Sequence, residues 1–411
     1  STLSPSSAAS DVYKRQGIKF IMKIFMYRYG SLCEPDVIDA FRRIGLEVDE
    51  ETAEIYNKNL MPSQCSAIVA PRLTGNNYSF VFTINFFPWL SDICQITGLI
   101  YISLIVDSPV LELYSNALSN NVNRVFLFDR LLYNEFCRYN NGHIFHIPLA
   151  TNLIRSNKVI SSASKDKSSQ YNSDISFIGS TYQEKCHFNN AVLSDYDKGF
   201  VDGIINSQIW VYGYNFIENI LTDETAERLL SCIPSHYEFP PGSRTDVKAL
   251  VAQYYLSVKV AEQERLRLLG MLSDSFQVNI YTGSDTSSMP HIHNCGFARS
   301  LDEMPLIFNC SKINLNITAK SIRSGLPLRI FDVLGAGGFL ITNYQSELPE
   351  IFSIGKDLVA YESPEHLKEL CTYYLWHEDE RLEIAHNGYE TIAKYHTYDI
   401  RLLQIIDKAF S

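Results

Sequence analysis

The stretch SIRSGLPLRIFDVLGAGGFLITN, residues 321–343, gives the clearest indication of fold class in this 411-residue chain. Its apolar residues Leu328, Phe331 and Leu334 recur at helical spacing, and glycines stand on both sides of the predicted helix. An apolar strand, GFLIT at 338–342, follows directly. A helix that ends at glycines and leads into a short apolar strand is the repeating unit of a parallel α/β sheet.

The same alternation of strand and helix occurs along most of the chain. Short apolar runs predict strands at 23–27, 79–85, 100–106, 124–128 and 143–150, and again at 174–180, 276–283, 312–318, 338–342 and 357–361. Strands that alternate with helices imply right-handed crossovers and a parallel sheet covered on both faces. We therefore predict an α/β protein with two Rossmann-like parallel-sheet domains that face a cleft.

The domain boundaries follow from changes in composition. Residues 1–21 resemble a non-native or disordered leader, so we place the natural start at Met22. We predict an N-terminal domain at 22–155, a polar, serine-rich linker at 156–173, a C-terminal domain at 174–395 and a C-terminal helix at 396–411. The first two strands of the C-terminal domain are too far apart for a simple crossover, which predicts a helical insertion at about 185–272.

The bulk composition excludes several classes of protein. With 46% hydrophobic and 20% charged residues the chain is typical of a globular protein, and a net charge of −11 without basic runs argues against nucleic acid as a partner. No apolar run reaches the roughly 20 residues of a transmembrane segment. The nine cysteines are scattered singly, which favours a reduced, cytoplasmic setting.

Polar residues that directly follow strands are the candidates for chemistry, because ligands bind at the carboxyl ends of parallel strands. Asp107 follows the buried strand 100–106 and is either a catalytic base or the cap of the next helix. Gly179, Ser180 and Thr282 follow two strands of the C-terminal domain and are candidate ligand contacts.

The opening stretch adds candidate anion ligands. Backbone N–H groups at Gly325 and Leu326, where the helix begins, suit phosphate oxygens, and Arg323 and Arg329 can add bidentate contacts. Asp332 is either a ribose contact or the partner of Arg329 in an ion pair at i, i+3 that supports the helix.

These residues resemble a known family. The segment INLNITAKSIRSGLPLRIFDVLGAGGFLITN (313–343) is similar to the CgeB-type spore-maturation glycosyltransferase-like proteins, which are GT-B glycosyltransferases with a group 1 C-terminal domain. FIGS (177–180), VNIYTG (278–283) and INFFPWLSDICQITGLIYISLIVDSP (84–109) extend the similarity to both domains.

The resemblance implies a GT-B glycosyltransferase that needs no metal ion or cofactor and moves a sugar from a nucleotide-diphosphate-sugar donor to a glycan or protein acceptor. The second acid of the GT-B pattern falls on Asp332, which implies a contact with the nucleotide ribose. Its first acid falls on Ser324, which departs from the pattern and leaves donor-sugar recognition and the retaining outcome open. Arg323 is then the expected ligand of the diphosphate.

Two other functions are compatible with parts of the sequence. One is a nucleotide-sugar or glycan-binding protein without turnover, assembled into a spore coat or surface structure. The other is a Rossmann dehydrogenase, which GAGG at 335–338 disfavours because no strand precedes it. The segment HIHNC at 291–295 lacks the partner residues of a zinc site and is expected to be a loop.

Overall fold

The computed structural model describes residues 22–411 and contains two parallel six-stranded sheets. The N-terminal sheet has the order β2-β1-β3-β4-β5-β6. Its strands are β1 (Lys23–Tyr27), β2 (Glu47–Glu51), β3 (Val81–Ile84), β4 (Tyr101–Leu104), β5 (Asn123–Leu127) and β6 (Ile144–His146). The leader predicted at 1–21 lies outside the described residues.

The C-terminal sheet has the order β12-β11-β10-β7-β8-β9. Its strands are β7 (Ser173–Ile178), β8 (Val278–Tyr281), β9 (His293–Asn294), β10 (Ser311–Asn316), β11 (Leu340–Asn343) and β12 (Val359–Tyr361). The predicted α/β architecture with two parallel sheets is confirmed.

Helices cover both sheets and form the insertion. In the N-terminal half and the connection they are α1 (Glu34–Arg43), α2 (Ala53–Tyr56), α3 (Pro62–Gly75), α4 (Pro88–Thr97), α5 (Arg130–Phe136), α6 (Leu153–Ser162) and α7 (Lys165–Ser169). In the insertion they are α8 (Asp195–Gln208), α9 (Ile217–Ile220), α10 (Asp223–Ser231), α11 (Val247–Ala249), a π-helical segment (Leu250–Leu256) and α12 (Ser257–Ser273). The remainder are α13 (Met304–Cys310), α14 (Leu328–Gly335), α15 (Leu348–Ile351), α16 (Pro364–Trp376), α17 (Glu378–Tyr395) and α18 (Tyr398–Phe410). None of these helices is both long and apolar enough to cross a membrane.

Three parts of the chain differ from the sequence-based expectation. The short edge strand β9 lies within HIHNC at 291–295, which we expected to be a loop. The segment 156–173, which we predicted to be a linker, is helical over most of its length, because α6 and α7 occupy it. The edge strand β2 was not predicted, because its sequence EVDEE is acidic. Arg72 stabilises that strand from α3, since it donates to Asp49 Oδ1 and to Glu51 Oε2, each at 2.5 Å.

The chain crosses between the domains twice, and the two crossings lie side by side. The Thr151 N–H donates to the His396 carbonyl oxygen, and the Tyr398 N–H donates to the Thr151 carbonyl oxygen, both at 3.1 Å. After the second crossing α18 packs on α1 of the N-terminal domain, where Arg43 binds both carboxylate oxygens of Asp399 at 2.9 Å. The C-terminal helix thus belongs spatially to the N-terminal domain.

The insertion between β7 and β8 has a hydrophobic core of its own and contacts both domains. Its Asn215 donates to the carbonyl oxygen of Lys320 in the C-terminal domain at 2.8 Å. Its Arg244 donates to Ser115 O at 3.1 Å and lies 4.0 Å from the centre of the Tyr139 ring, both in the N-terminal domain. The insertion therefore bridges the two domains.

The buried His396 makes stability depend on pH. Burial, with a smaller contribution from the charge of Arg401, lowers the pKa of His396 to about 3. The unfolded chain takes up this proton near pH 6.5, and the folded chain only near the lower value, so folded stability falls as pH falls between these values.

We expect His396→Gln, which keeps an acceptor for Arg401, to remove this dependence of about 1.4 kcal/mol per pH unit. Urea unfolding at pH 7 and pH 5 measures the effect. His366→Gln, at an exposed position of α16, is the matched control. Equal pH dependence in wild type and His396→Gln would contradict the role of His396.

Candidate functional site

A buried carboxylate of the N-terminal domain joins the two domains at the carboxyl ends of their sheets. Oxygen Oδ2 of Asp129, just after β5, accepts hydrogen bonds from the N–H groups of Arg323, Ser324 and Gly325 at 2.7, 2.9 and 3.1 Å. Asp129 is fully buried. The N–H group of Gly325, predicted to receive phosphate, is thus bound to the N-terminal domain in this arrangement.

Ser324 lies between two buried carboxylates. Its Oγ is 3.1 Å from Asp129 Oδ1 and 2.7 Å from Glu347 Oε1. Glu347 also contacts His146 Nε2 at 2.8 Å. A glutamate at 324 would add a third carboxylate to this buried cluster, so the departure from the GT-B pattern has a physical reason: charge repulsion excludes an acid there.

Gly325 is a glycine because the other domain touches it. A Cβ atom at this position would lie 2.7 Å from the Phe128 carbonyl oxygen and 2.8 Å from Asp129 Cα. Both distances are far below van der Waals contact with backbone atoms that have little room to move. The residue at 325 is therefore selected by the close approach of β5.

Arg323 is engaged by acids from two other parts of the chain. Its Nη2 lies 2.5 Å from Glu135 Oε2 on α5, and its Nη1 lies 3.9 Å from Glu218 Oε2 on α9 of the insertion. A diphosphate contact by Arg323 therefore requires it to leave Glu135 or to share it. The predicted ligand roles of Arg323, Ser324 and Gly325 stay predictions.

A cavity of about 110 Å³ lies between the domains, next to the two crossings. From the C-terminal domain it is lined by α13 and α14, including Arg329 and Asp332. From the N-terminal domain and the crossings it is lined by Leu32, Cys33, Asp36, Arg155, Ser156 and Tyr398. The structure thus brings together Arg329 and Asp332, two of the residues predicted from the sequence, at one interdomain cavity.

Arg329 has no carboxylate partner at this cavity among residues 22–411. Its Nη1 lies 3.9 Å from Met304 Sδ, its guanidinium lies 5.2 Å from the centre of the Phe308 ring, and its Nε has no hydrogen-bond partner among the described residues. Burial lowers the pKa of Arg329. The predicted i, i+3 ion pair with Asp332 does not form within 4.0 Å, so this cation is available to an anionic ligand.

Asp332 faces the same cavity and is bonded to the first crossing. Its Oδ1 accepts a hydrogen bond from Thr151 Oγ1 at 2.8 Å. Burial raises the pKa of Asp332, although the Arg329 guanidinium opposes the shift. Its second oxygen is the one that a ribose hydroxyl would use, and that role stays a prediction.

Asp107 lies at the cleft and caps no helix, since the 3₁₀ helix that follows begins after Val110. Its exposed carboxylate accepts a hydrogen bond from Asn85 Nδ2 at 2.6 Å. The next residue joins the domains: Ser108 Oγ donates to Ser321 O at 2.7 Å, and Ser321 Oγ donates to Ser108 O at 2.9 Å. The alternative in which Asp107 caps the next helix is therefore wrong, and its role as a catalytic base stays a prediction.

Gly179, Ser180 and Thr282 lie at the ends of β7 and β8 and do not line the cavity. Arg265 of α12, which the sequence did not single out, donates to Ser180 O at 2.6 Å and to Ile317 O at 2.5 Å. It thereby joins the ends of β7 and β10. Because Arg265 lies 85 residues after Ser180, no local sequence pattern could have indicated this contact.

One histidine of HIHNC makes only local side-chain contacts among the described residues. His293 Nδ1 lies 3.2 Å from Asn279 Oδ1, and Cys295 Sγ lies 3.7 Å from the same nitrogen. Across residues 22–411 no group of three or more His, Cys, Asp or Glu side chains is arranged to hold a metal ion.

Comparisons with known proteins agree with this architecture. Residues 263–407 match the family described as "Glycosyl transferase-like". A glycosyltransferase from Rickettsia africae aligns with a TM-score of 0.55 at 10% identity, over 95% of this chain and 98% of that one. The fold is GT-B. Family match and fold together indicate a GT-B glycosyltransferase.

Two further GT-B neighbours cover almost the whole chain. Sucrose-phosphate synthase from Thermosynechococcus elongatus has a TM-score of 0.55 at 9% identity, over 95% of this chain and 99% of that one. Alr3699/HepE of Anabaena, solved in complex with UDP and glucose, has a TM-score of 0.52 at 8% identity, over 94% and 98%. No curated protein sequence matches the chain significantly.

We expect Gly325→Ala to destabilise the interdomain contact, because its methyl group would overlap the backbone at Phe128 and Asp129. The expected cost in unfolding free energy is about 1–3 kcal/mol, measured by urea unfolding. Gly199→Ala, in open space inside α8, is the control and should be neutral or stabilising. Equal stability of Gly325→Ala and wild type would show that the domains do not approach this closely.

Proposed function

We propose that this glycosyltransferase moves a sugar from a nucleotide-diphosphate-sugar donor, bound by the C-terminal domain, to a glycan or protein acceptor bound by the N-terminal domain. The observation that carries the proposal is the Arg329 guanidinium, which lines the interdomain cavity together with Asp332 and forms no ion pair with any carboxylate of the described residues. A cation in such a place favours an anionic ligand, because burying it without a partner is costly. The UDP and glucose bound by Anabaena Alr3699/HepE support this donor class.

The reaction breaks the bond between the sugar's anomeric carbon and the diphosphate and forms a bond from that carbon to an acceptor oxygen. The sugar passes through an oxocarbenium-like state while negative charge grows on the leaving diphosphate. In our proposal Arg329 stabilises the diphosphate, Asp332 accepts hydrogen bonds from the ribose, and Asp107 takes the proton of the acceptor hydroxyl. A guanidinium serves the leaving group in this scheme without a metal ion.

The proposal also includes a more specific group of proteins and a cellular location. The similarity of residues 313–343 to CgeB-type proteins supports a place in that spore-maturation group. A cytoplasmic location is supported by the nine cysteines, all of which are unpaired.

A second function, nucleotide-sugar or glycan binding without turnover, is favoured by one observation. The Asp129 carboxylate occupies the N–H groups of residues 323–325, so this corner of the cleft is closed to a donor in the present domain arrangement. An assembly protein that binds its ligand only at the Arg329 cavity would not need to open this corner of the cleft. Turnover measurements separate the two functions.

Calorimetric titration with UDP, GDP and the corresponding nucleosides tests the donor site. We expect Arg329→Met, which keeps the apolar stem, to weaken nucleoside diphosphates roughly 10- to 100-fold and to affect nucleosides little, because it removes a charged hydrogen bond to phosphate. Asp332→Asn should weaken both classes, since both contain the ribose.

The exposed Arg267→Met is the matched control and should bind as wild type does. Arg323→Ala should have a smaller effect than Arg329→Met, because Glu135 already binds Arg323. If wild type binds no nucleotide at millimolar concentration, the proposed function is wrong.

The base is tested by turnover. We expect Asp107→Asn to lower the rate of sugar transfer or donor hydrolysis by about 10²- to 10⁴-fold and to leave nucleotide affinity unchanged, because general-base catalysis acts on the chemical step. Rates are measured from released nucleoside diphosphate. Asp202→Asn, at an exposed site on α8, is the control. Undiminished turnover in Asp107→Asn would exclude Asp107 as the base.

A further inference from the structure

Asn85 has an unusual backbone conformation at the end of β3. Its φ is +58°, in the left-handed region, which asparagine adopts more readily than most residues other than glycine but at a cost in free energy. The scaffold holds this conformation on both sides: the Asn85 N–H donates to Leu104 O at 2.8 Å, and Thr83 Oγ1 donates to the Asn85 carbonyl oxygen at 2.6 Å. Backbone strain of this kind is frequent at functional sites, and here it directs one side chain into the cleft.

The side-chain amide of Asn85 has one orientation that satisfies its neighbours. Oδ1 accepts a hydrogen bond from the Val106 N–H at 3.1 Å, which identifies it as the oxygen. The two hydrogens on Nδ2 are then directed to the Tyr29 hydroxyl at 2.8 Å and to Asp107 Oδ2 at 2.6 Å. Three neighbours thus fix the amide, and the amide fixes one oxygen of Asp107.

We infer that Asn85 is a positioning residue for the base Asp107, and that Tyr29 completes the acceptor side of the site. This inference rests on the proposed function. The Asn85 amide donates to the ionised carboxylate and holds it in one orientation, so that the other carboxylate oxygen receives the acceptor hydroxyl. Because the Tyr29 oxygen accepts from Asn85, its own hydroxyl hydrogen is directed away from the amide, towards an oxygen of the acceptor.

The ionisable groups near Asp107 come from two parts of the N-terminal domain. Tyr29 and Cys33 precede α1, and Glu112 lies in the 3₁₀ helix after Asp107. Burial raises the pKa of Tyr29 and raises that of Cys33 to about 12, so both stay neutral at pH 5–9. Burial also raises the pKa of Glu112, which makes it the other acid to control for. From the C-terminal domain, the uncharged Ser321 donates a hydrogen bond to Ser108, the residue after Asp107.

Two substitutions of Asn85 separate its role from simple stability. Asn85→Gly accommodates a φ of +58° without strain and removes the amide. We expect kcat to fall roughly 10- to 100-fold with donor affinity unchanged, because misplacement of a catalytic group by about 1 Å has effects of this size. Asn85→Asp places a second carboxylate beside Asp107, so the pair retains a proton and the acidic limb of the kcat profile moves about one pH unit or more upward.

Two control variants isolate the amide. Ser235→Gly relieves a similar positive φ of +53° at an exposed site in the insertion and should leave kcat and the pH profile unchanged. Glu112→Gln should leave the upward shift in Asn85→Asp intact, since that shift arises from the 85–107 pair. A crystal structure of Asn85→Gly gives a readout that does not depend on activity: the Asp107 carboxylate should move or occupy more than one rotamer.

Three outcomes would overturn the inference. They are an unchanged kcat in Asn85→Gly, an Asp107 carboxylate that keeps its position there, and a pH profile in Asn85→Asp that matches wild type. A wild-type protein that binds no donor and transfers no sugar would overturn the proposed function and this inference with it. A wild type that transfers sugar while Asn85→Gly transfers it equally well would overturn the inference alone.

Discussion

The arrangement of the cleft depends on one buried carboxylate that bridges the two domains. The carboxylate of Asp129 is fully buried. It accepts hydrogen bonds from the three consecutive backbone N–H groups of residues 323–325. Hydrogen bonds to a charged group are stronger than neutral ones, and leaving either side unsatisfied would be costly. The contact also explains the identities of its neighbours: Gly325 must lack a Cβ, and Ser324 must be short and uncharged.

Other contacts between the domains accompany the one at Asp129. The paired Ser108 and Ser321 hold the loop after Asp107 against the loop after β10. The two crossings at Thr151 and Thr397 lie beside each other, next to the cavity. Candidate groups for the acceptor thus come from the N-terminal domain, and candidate groups for the donor come from the C-terminal domain. This division suits transfer between two substrates.

The elements that could be predicted are those whose signal is local. Helical periodicity and flanking glycines predicted α14, and apolar runs predicted ten of the twelve strands without reference to any distant residue. The acidic strand β2 escaped prediction, because its stability comes from pairing with β1 and from Arg72 on another element. The helices α6 and α7 escaped it because their polar, serine-rich sequence resembles a linker.

The sequence indicated which residues are candidates for the site, but not which contacts they make. Arginines, a glycine turn and an acid could be assigned to one helix start from the sequence, because spacing along a helix is a local property. Which of them are available to a ligand depends on residues from distant parts of the chain. Glu135 reaches Arg323 across the cleft, whereas Arg329 has no carboxylate partner in the cavity among residues 22–411. Ion pairs form between residues that are close in space, whatever their separation in the sequence. Glu135 and Arg323 are 188 positions apart, so the spacing between Arg323 and Arg329, which are six positions apart, could not show which arginine is paired.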